Sequence, residues 1–458
     1  MVQTRVVIVG AGPAGVRCAE TLVKAGLRPL VIDEGQRDGG QVYRRQPENF
    51  TRSYKTLYGT EAGRAESLHR TFDALRGKID YRPETLAWNI SEGRLHLSVN
   101  NRTSSLAYDR LILCTGATDR LMPVKGWHLA GAYSLGAAQI ALKSQACSIG
   151  RKVVFMGTGP LLYLVASQYI KAGAQVAAVL DTASTLDQLK ALPNLMARPM
   201  LLKKGIALVN AIKRAGVPVL KHIEPVEILG QAQAGVRGVR YRQHNGEALE
   251  LDCDAVAVGY HLRAETQLAD LARCEFVFEP ASRQWLPKID VDGRSSVAGV
   301  YLAGDGVRIL GADAAEIAGR LAALALLKDL GRDIEPGQLN ALRKQQERMD
   351  RFRRGLARAF PWPAQQTACI PDDAFVCRCE SVSVGELRRV VSETGAAESN
   401  RAKAFSRVGM GRCQGRYCGH AGAEIIADAA GIGVSDVGRL RAQAPVKPLS
   451  IKTTEDEA

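Results

Sequence analysis

"VVIVGAGPAG", residues 6–15, runs four β-branched residues straight into three glycines. Val6 to Val9 reads as a buried strand, and the apolar spacing from Pro13 to Ala25 reads as a helix. The glycines between them each have a steric role. Gly10 makes the tight turn, Gly12 lets backbone approach a pyrophosphate, and Gly15 lets helix pack against strand. With Pro13 and Ala14 they form a cradle at a helix N-terminus, where unpaired N–H groups favour phosphate. A second strand, "RPLVID", ends at Asp33, 23 residues past Gly10, where an acid should meet a ribose hydroxyl. Glu34 is adjacent and able to share that role. Strand, turn, helix and acid together predict a dinucleotide site.

Further along lie "GGQVYR" (39–44), carrying Gly40 and Gln41, "LILCTGA" (111–117), carrying Thr115 and Gly116, and "VYLAGDG" (300–306), carrying Gly304 and Asp305. Asp305 ends a strand ahead of an apolar helix, so its carboxylate is placed either to accept sugar hydroxyls or to cap that helix. The order of these motifs over residues 1 to about 332 resembles the flavoprotein disulfide-reductase-like superfamily. That resemblance implies FAD along the first cradle, with Gly304 and Asp305 at its ribityl and pyrophosphate end.

A second strand, turn and helix begins at "RKVVFMGTGPLLYLVASQYI" (151–170). In the superfamily it resembles, this unit is an inserted nicotinamide domain. Here Gly157 and Gly159 are present, but Leu162 holds the third glycine position, which should push helix from strand and weaken NAD(P)H binding. Asp181 ends the next strand and would favour a free 2′-hydroxyl. No Cys-x-x-Cys occurs anywhere, so thiol–disulfide exchange is not expected.

A chain of 458 residues is too long for one ordinary domain. The opening residues lack the basic, apolar and small-residue regions of a secretory leader, and the most apolar later stretch, 153–170, is broken by Gly157, Gly159 and Pro160. No membrane span and a cytoplasmic location are therefore expected. Cys18, Cys114, Cys147, Cys253, Cys274 and Cys369 stand in apolar contexts and are read as reduced, buried thiols. The net charge of +14 is spread along the chain except at "RMDRFRRGLARAF" (348–360). Without an interleaved aromatic stacking pattern this run argues against nucleic acid and for an acidic partner, a phosphate-bearing cofactor or a solvated helix face.

Four cysteines remain, as Cys377-x-Cys379 and Cys413-x4-Cys418. Four thiolates can hold zinc or an iron–sulfur cluster. One intervening residue is too tight for a zinc knuckle and four is loose. The pattern and its flanks, "VCRCESVSVGELRRVV" and "GMGRCQGRYCGHAGAEII", resemble the [2Fe–2S] domain of bacterioferritin-associated ferredoxin, which implies Cys377, Cys379, Cys413 and Cys418 as ligands. Glycines in the second flank should leave N–H groups free for the sulfurs. His420 and Cys369 fall outside the pattern.

The expected architecture is α/β. Two nested Rossmann-like units, an FAD unit (1–120 and 259–332) and an inserted degenerate NAD-like unit (121–258), are followed by a linker (333–368) and a small α-rich [2Fe–2S] domain (369–458). "GGQVYRRQP", "GTGPLLYLVA" and "MGRCQGRYCG" carry a nearly full-length resemblance to the larger subunit of the opine oxidase, hydrogen cyanide synthase and D-hydroxyproline or dye-linked proline dehydrogenase family. It implies an electron-transfer subunit of a hetero-oligomer. The partner would be an FAD-dependent, D-amino-acid-oxidase-like subunit that oxidises the amine, and a further small subunit stays open. FMN at a subunit interface, and ATP in place of FAD, also stay open. No catalytic base is expected in this chain. The rival readings are a self-contained NADH-dependent reductase feeding its own cluster and a structural scaffold.

Overall fold

The computed structural model describes residues 4–46, 51–243, 246–451 and 454–455. Its first sheet is parallel throughout, in the order Val300–Leu302, Arg110–Leu113, Val6–Val9, Leu30–Ile32, Asp80–Arg82. All four residues of Val6–Val9 are buried, as a central parallel strand covered on both faces requires. The helix Pro13–Lys24 crosses Ala312–Asp329 at its smallest residues: a Cβ on Gly319 would stand 2.1 Å from the Ala14 carbonyl oxygen. At the turn itself, a Cβ on Gly15 would stand 1.8 Å from the Gly10 oxygen, so helix and strand approach as closely as backbone permits.

The second sheet is also parallel and five-stranded, ordered Val219–Lys221, Gln175–Asp181, Lys152–Thr158, Ala255–Tyr260, Ala132–Ser134. Antiparallel ribbons flank both sheets, at 86–107 beside the first and 223–252 beside the second. The basic run belongs to the helix Pro336–Ala359, which lies along Thr185–Leu195. Gly355 permits that approach, since a Cβ there would be 2.9 Å from the Leu195 nitrogen.

Past residue 369, a short hairpin (375–377 with 382–383) is followed by the helices Val384–Thr394, Ser399–Ser406, Gly419–Ala430 and Val434–Val437. Ser383 and Glu386 form a reciprocal capping box that starts the first of these helices. One apolar core runs from Trp127 and from Tyr260, at the end of the second sheet's strand Ala255–Tyr260, into Val376, Leu387 and Ile425. Ion pairs hold the edges of this junction. Arg283 grips Glu424 through two nitrogens at 2.8 and 2.6 Å, and Arg439 grips Asp270 at 2.6 and 2.7 Å while stacking 3.7 Å over Phe276.

Among the described residues, no helix is long and apolar enough to cross a membrane. The expectation of six buried thiols needs correction at two. Cys18, Cys114, Cys253 and Cys274 are buried, but Cys147 and Cys369 are exposed. Cys147 follows the end of helix Leu135–Ser144 and Cys369 ends a short 3-10 turn, so neither side chain is carried into a core.

Candidate functional site

The turn after Val9 opens onto a cavity of about 1720 Å3. Gly10, Gly12, Pro13, Ala14, Asp33, Glu34, Gly40, Gln41, Thr115, Gly116, Gly304 and Asp305 all line it. Gly15 does not; it sits behind the turn, holding helix to strand. Around Gly12 the nearest atom a Cβ would meet is the Gly40 Cα at 3.7 Å, so backbone here is bare toward the cavity.

The two acids predicted at the strand end behave differently. Asp33 accepts the Ala11 N–H at 2.5 Å and the Gly35 N–H at 2.7 Å, which clamps the turn and leaves a carboxylate's remaining lone pairs for a ligand. Burial raises its pKa, opposed by those two N–H groups. Glu34 does not share that position: it pairs with Lys447 from the far end of the chain. Asp305 does both things its sequence position allows. Its Oδ1 accepts the Leu310 and Gly311 N–H groups ahead of helix Ala312–Asp329, at 2.9 and 3.0 Å, while the residue also faces the cavity. Burial raises its pKa as well. Gln41 accepts from Arg44 at 2.6 Å.

The second glycine turn presents a different picture. Leu162 is fully buried and packs between helix and sheet. The space above the turn is taken by the chain itself: a Cβ on Gly159 would lie 3.2 Å from the His261 ring, and His261 Nε2 meets the Phe360 carbonyl at 2.6 Å. Phe360 in turn contacts the Tyr163 ring, with centroids 6.3 Å apart. Asp181, expected as a ribose acid, is wholly buried and accepts from Thr158, Tyr163 and the Ala183 N–H. Phe360, within the expected linker, therefore packs over the second turn through His261 and Tyr163.

The two distant cysteine pairs come together. Cys418 neighbours both Cys377 and Cys413, and Cys413 neighbours Cys379. The Cys418 thiol, with N–H groups of Gly409, Glu380 and Cys379, holds Cys377 down at about 6, and burial opposes this. Cys413 is likewise lowered, first by Cys418 and then by the Tyr417 and Gly415 N–H groups among others. Cys418 is raised by the two thiols beside it and by burial. Gly411 must be glycine for the loops to meet, since a Cβ there would stand 2.2 Å from the Cys379 Cβ. The four thiols are mutual neighbours, a donor set of the kind that holds an iron–sulfur cluster. His420 lies outside this set, its pKa lowered by burial and by Arg120 and Arg263.

Between cavity and cysteines runs a contact the sequence did not announce. Thr115 Oγ1 donates to the Glu265 carbonyl at 2.6 Å, and the Glu265 N–H donates to Gly116 at 3.0 Å. The Glu265 side chain accepts from Arg416 at 2.7 and 3.2 Å, and Arg416 sits in the chain between Cys413 and Cys418. Arg416 also donates to the Cys413 and Val446 carbonyls, at 3.2 and 2.6 Å. Burial works to raise the Glu265 pKa, but Arg263 and Arg416 more than offset it and hold the carboxyl below its usual range. Arg416 and Tyr417 also form part of the cavity wall. No local signal marks Glu265 or Arg416, which are 151 residues apart.

Residues 4–320 match the pyridine nucleotide-disulphide oxidoreductase family and residues 375–428 match the BFD-like [2Fe-2S] binding domain. The chain belongs to the pyridine nucleotide-disulphide oxidoreductases, with a BFD-like domain at its C-terminal end; it is an oxidoreductase that carries FAD and a [2Fe–2S] cluster. Named relatives narrow the class. A subunit of the opine oxidase of Rhizobium meliloti is 36% identical over 97% of this chain and 86% of its own length. The HcnB subunit of the hydrogen cyanide synthase of Pseudomonas aeruginosa is 32% identical over 97% of both. The fold matches L-proline dehydrogenase from P. horikoshii with a TM-score of 0.69 at 19% identity, over 98% of this chain and 78% of that one. Thioredoxin reductase from T. acidophilum matches over 71% of this chain and 98% of its own, with a TM-score of 0.52 at 20% identity.

Proposed function

We propose that this chain is the electron-transfer subunit of a cytoplasmic hetero-oligomeric amine dehydrogenase, and that a partner flavoprotein subunit oxidises a secondary amine or imino acid of the D-hydroxyproline or opine kind. Flavin accepts electrons in pairs and a [2Fe–2S] cluster passes them singly, so one chain holding both is suited to relay. In this reading Gly10, Gly12, Pro13, Ala14, Gly15, Asp33, Gly40, Gln41, Thr115, Gly116, Gly304 and Asp305 hold FAD, and Cys377, Cys379, Cys413 and Cys418 hold the cluster. Glu34 braces the C-terminal tail and leaves the ribose to Asp33.

The observation that carries the relay is the Thr115–Glu265–Arg416 bridge, which joins the cofactor cavity to the loop between two cluster cysteines. It gives the two centres a common wall. The opine oxidase and hydrogen cyanide synthase relatives are each named as one subunit of a larger enzyme, which supports a hetero-oligomer. The rival, a self-contained NADH-dependent reductase, meets an obstacle in the His261–Phe360 plug over the second turn. The test is anaerobic photoreduction of the isolated, flavin-loaded chain. The expected outcome is a paramagnetic reduced cluster appearing as the flavin is reoxidised, no bleaching by NADH, and no amine turnover without a partner. A cluster that stays oxidised beside fully reduced flavin would end the relay reading.

A further inference from the structure

The cavity has more room than a dinucleotide cradle needs. Ligand sites usually enclose roughly 300–1,000 Å3, against about 1720 Å3 here. Much of the excess faces the inserted unit, where Lys143 projects from the last turn of helix Leu135–Ser144. Lys143 is only 6% exposed. Its Nζ has one long hydrogen bond, 3.3 Å to the Val42 carbonyl, and stands 5.8 Å from the Tyr58 ring centroid. The charged side chain acting on it is Arg44, a second cation. The Tyr58 hydroxyl donates to the Arg44 carbonyl at 2.5 Å, which ties the ring beside Lys143 to the main chain of Arg44. Arg44 Nη2 reaches Gln41, while its Nε is buried with no acceptor among the described residues.

A buried lysine and a half-buried arginine turned to one chamber, with no carboxylate among the described residues set against the lysine, are costly unless an anion joins them. Burial, with Arg44, brings Lys143 down to about 8, which still leaves it mostly charged at neutral pH. Arg17 meets Glu316 and Arg45 meets Asp38, and the buried Arg120, Arg263 and Lys403 are each met by a carbonyl or amide oxygen at 3.2 Å or less, whereas Lys143 has only its 3.3 Å contact among the described residues. We propose that Lys143 and Arg44 form an anion site beside Tyr58 that takes the carboxylate or phosphate of a small free molecule, in the same cavity as the dinucleotide cradle but outside it. The chain would then have a ligand of its own, distinct from the amine handled by the partner. This rests on reading the cradle as the flavin site only in assigning the remaining space.

The test is calorimetric titration of the full, FAD-loaded chain with inorganic phosphate and separately with acetate, each against sodium chloride at equal ionic strength. One saturable site is expected, weakened at least tenfold in Lys143→Met and in Arg44→Gln, with FAD content unchanged in Lys143→Met. Saturation by phosphate alone identifies a phosphoryl ligand, and saturation by acetate a carboxylate; either supports the site. No saturable binding, or binding indifferent to both substitutions, overturns it. Loss of FAD from Lys143→Met overturns it too, because the cation would then serve the dinucleotide. Should the chain carry no flavin, the wild-type and Lys143→Met titrations still differ if the anion site exists, so the two readings fail separately.

Discussion

Residues 6–33 and 153–181 repeat one plan: buried parallel strand, glycine turn, Pro-started helix, second strand, terminal aspartate. They end in opposite states. The first turn is bare toward a large cavity and its acid braces the turn at the cavity wall. The second is covered by His261 and Phe360, its acid sealed under Thr158 and Tyr163. A glycine fingerprint thus fixes a backbone shape, and what lies across its mouth decides whether that shape can receive a ligand. The mouth of the first unit also meets the cluster loop, so the open unit is the one connected to the thiols.

The largest effect comes from removing what the first unit addresses. Cys413→Ser should lower bound iron and sulfide below about a tenth of wild type, checked by metal analysis and visible absorbance. Next is the bridge itself. Glu265→Gln leaves Arg263 and Arg416 buried without their carboxylate, and should cost about 3–5 kcal/mol in denaturant unfolding, the usual result of breaking a buried pair. A loss under about 1 kcal/mol would mean the bridge is ornamental.

The comparison can also be tested glycine for glycine. Gly12 has ordinary backbone and nothing close around it, so Gly12→Ala should spare the melting temperature and weaken FAD at least about tenfold by standing where the phosphates approach. Gly159 has φ +107° and the His261 ring above it, so Gly159→Ala should lower the melting temperature and leave FAD affinity alone. Equal effects on FAD would dissolve the distinction between the units.

The smallest effect is on pH. Burial pushes His261 down to about 4 from its ordinary 6.5, so the folded chain keeps it neutral where the unfolded chain protonates it. That contribution is complete above about pH 6.5 and is lost as pH falls toward 4. With the ring partly exposed, about 1–2 kcal/mol is expected. His261→Gln should flatten unfolding stability within that window.

What was legible in the sequence was local. The first cradle, the flawed second turn and the paired cysteines each announce themselves within a dozen residues, because glycine sterics and ligand spacing act over that range. Glu265 with Arg416, Arg283 with Glu424, and Lys447 with Glu34 are single charges until the fold joins them across 151, 141 and 413 positions. Phe360 was hidden for the same reason: in sequence it opens a proline-rich connector, and only packing against Tyr163 reveals what it covers.

Arg416 occupies a singular place, fastened on one side to the carboxylate next to Thr115 and on the other to the backbone of Cys413. Thermodynamic linkage is symmetric: if filling the cavity favours this fastened arrangement, iron must be retained more tightly by the same factor by which iron favours the cavity's occupant. Maturation of the two prosthetic groups is then one cooperative process, and a defect in supplying either would show as a shortage of both.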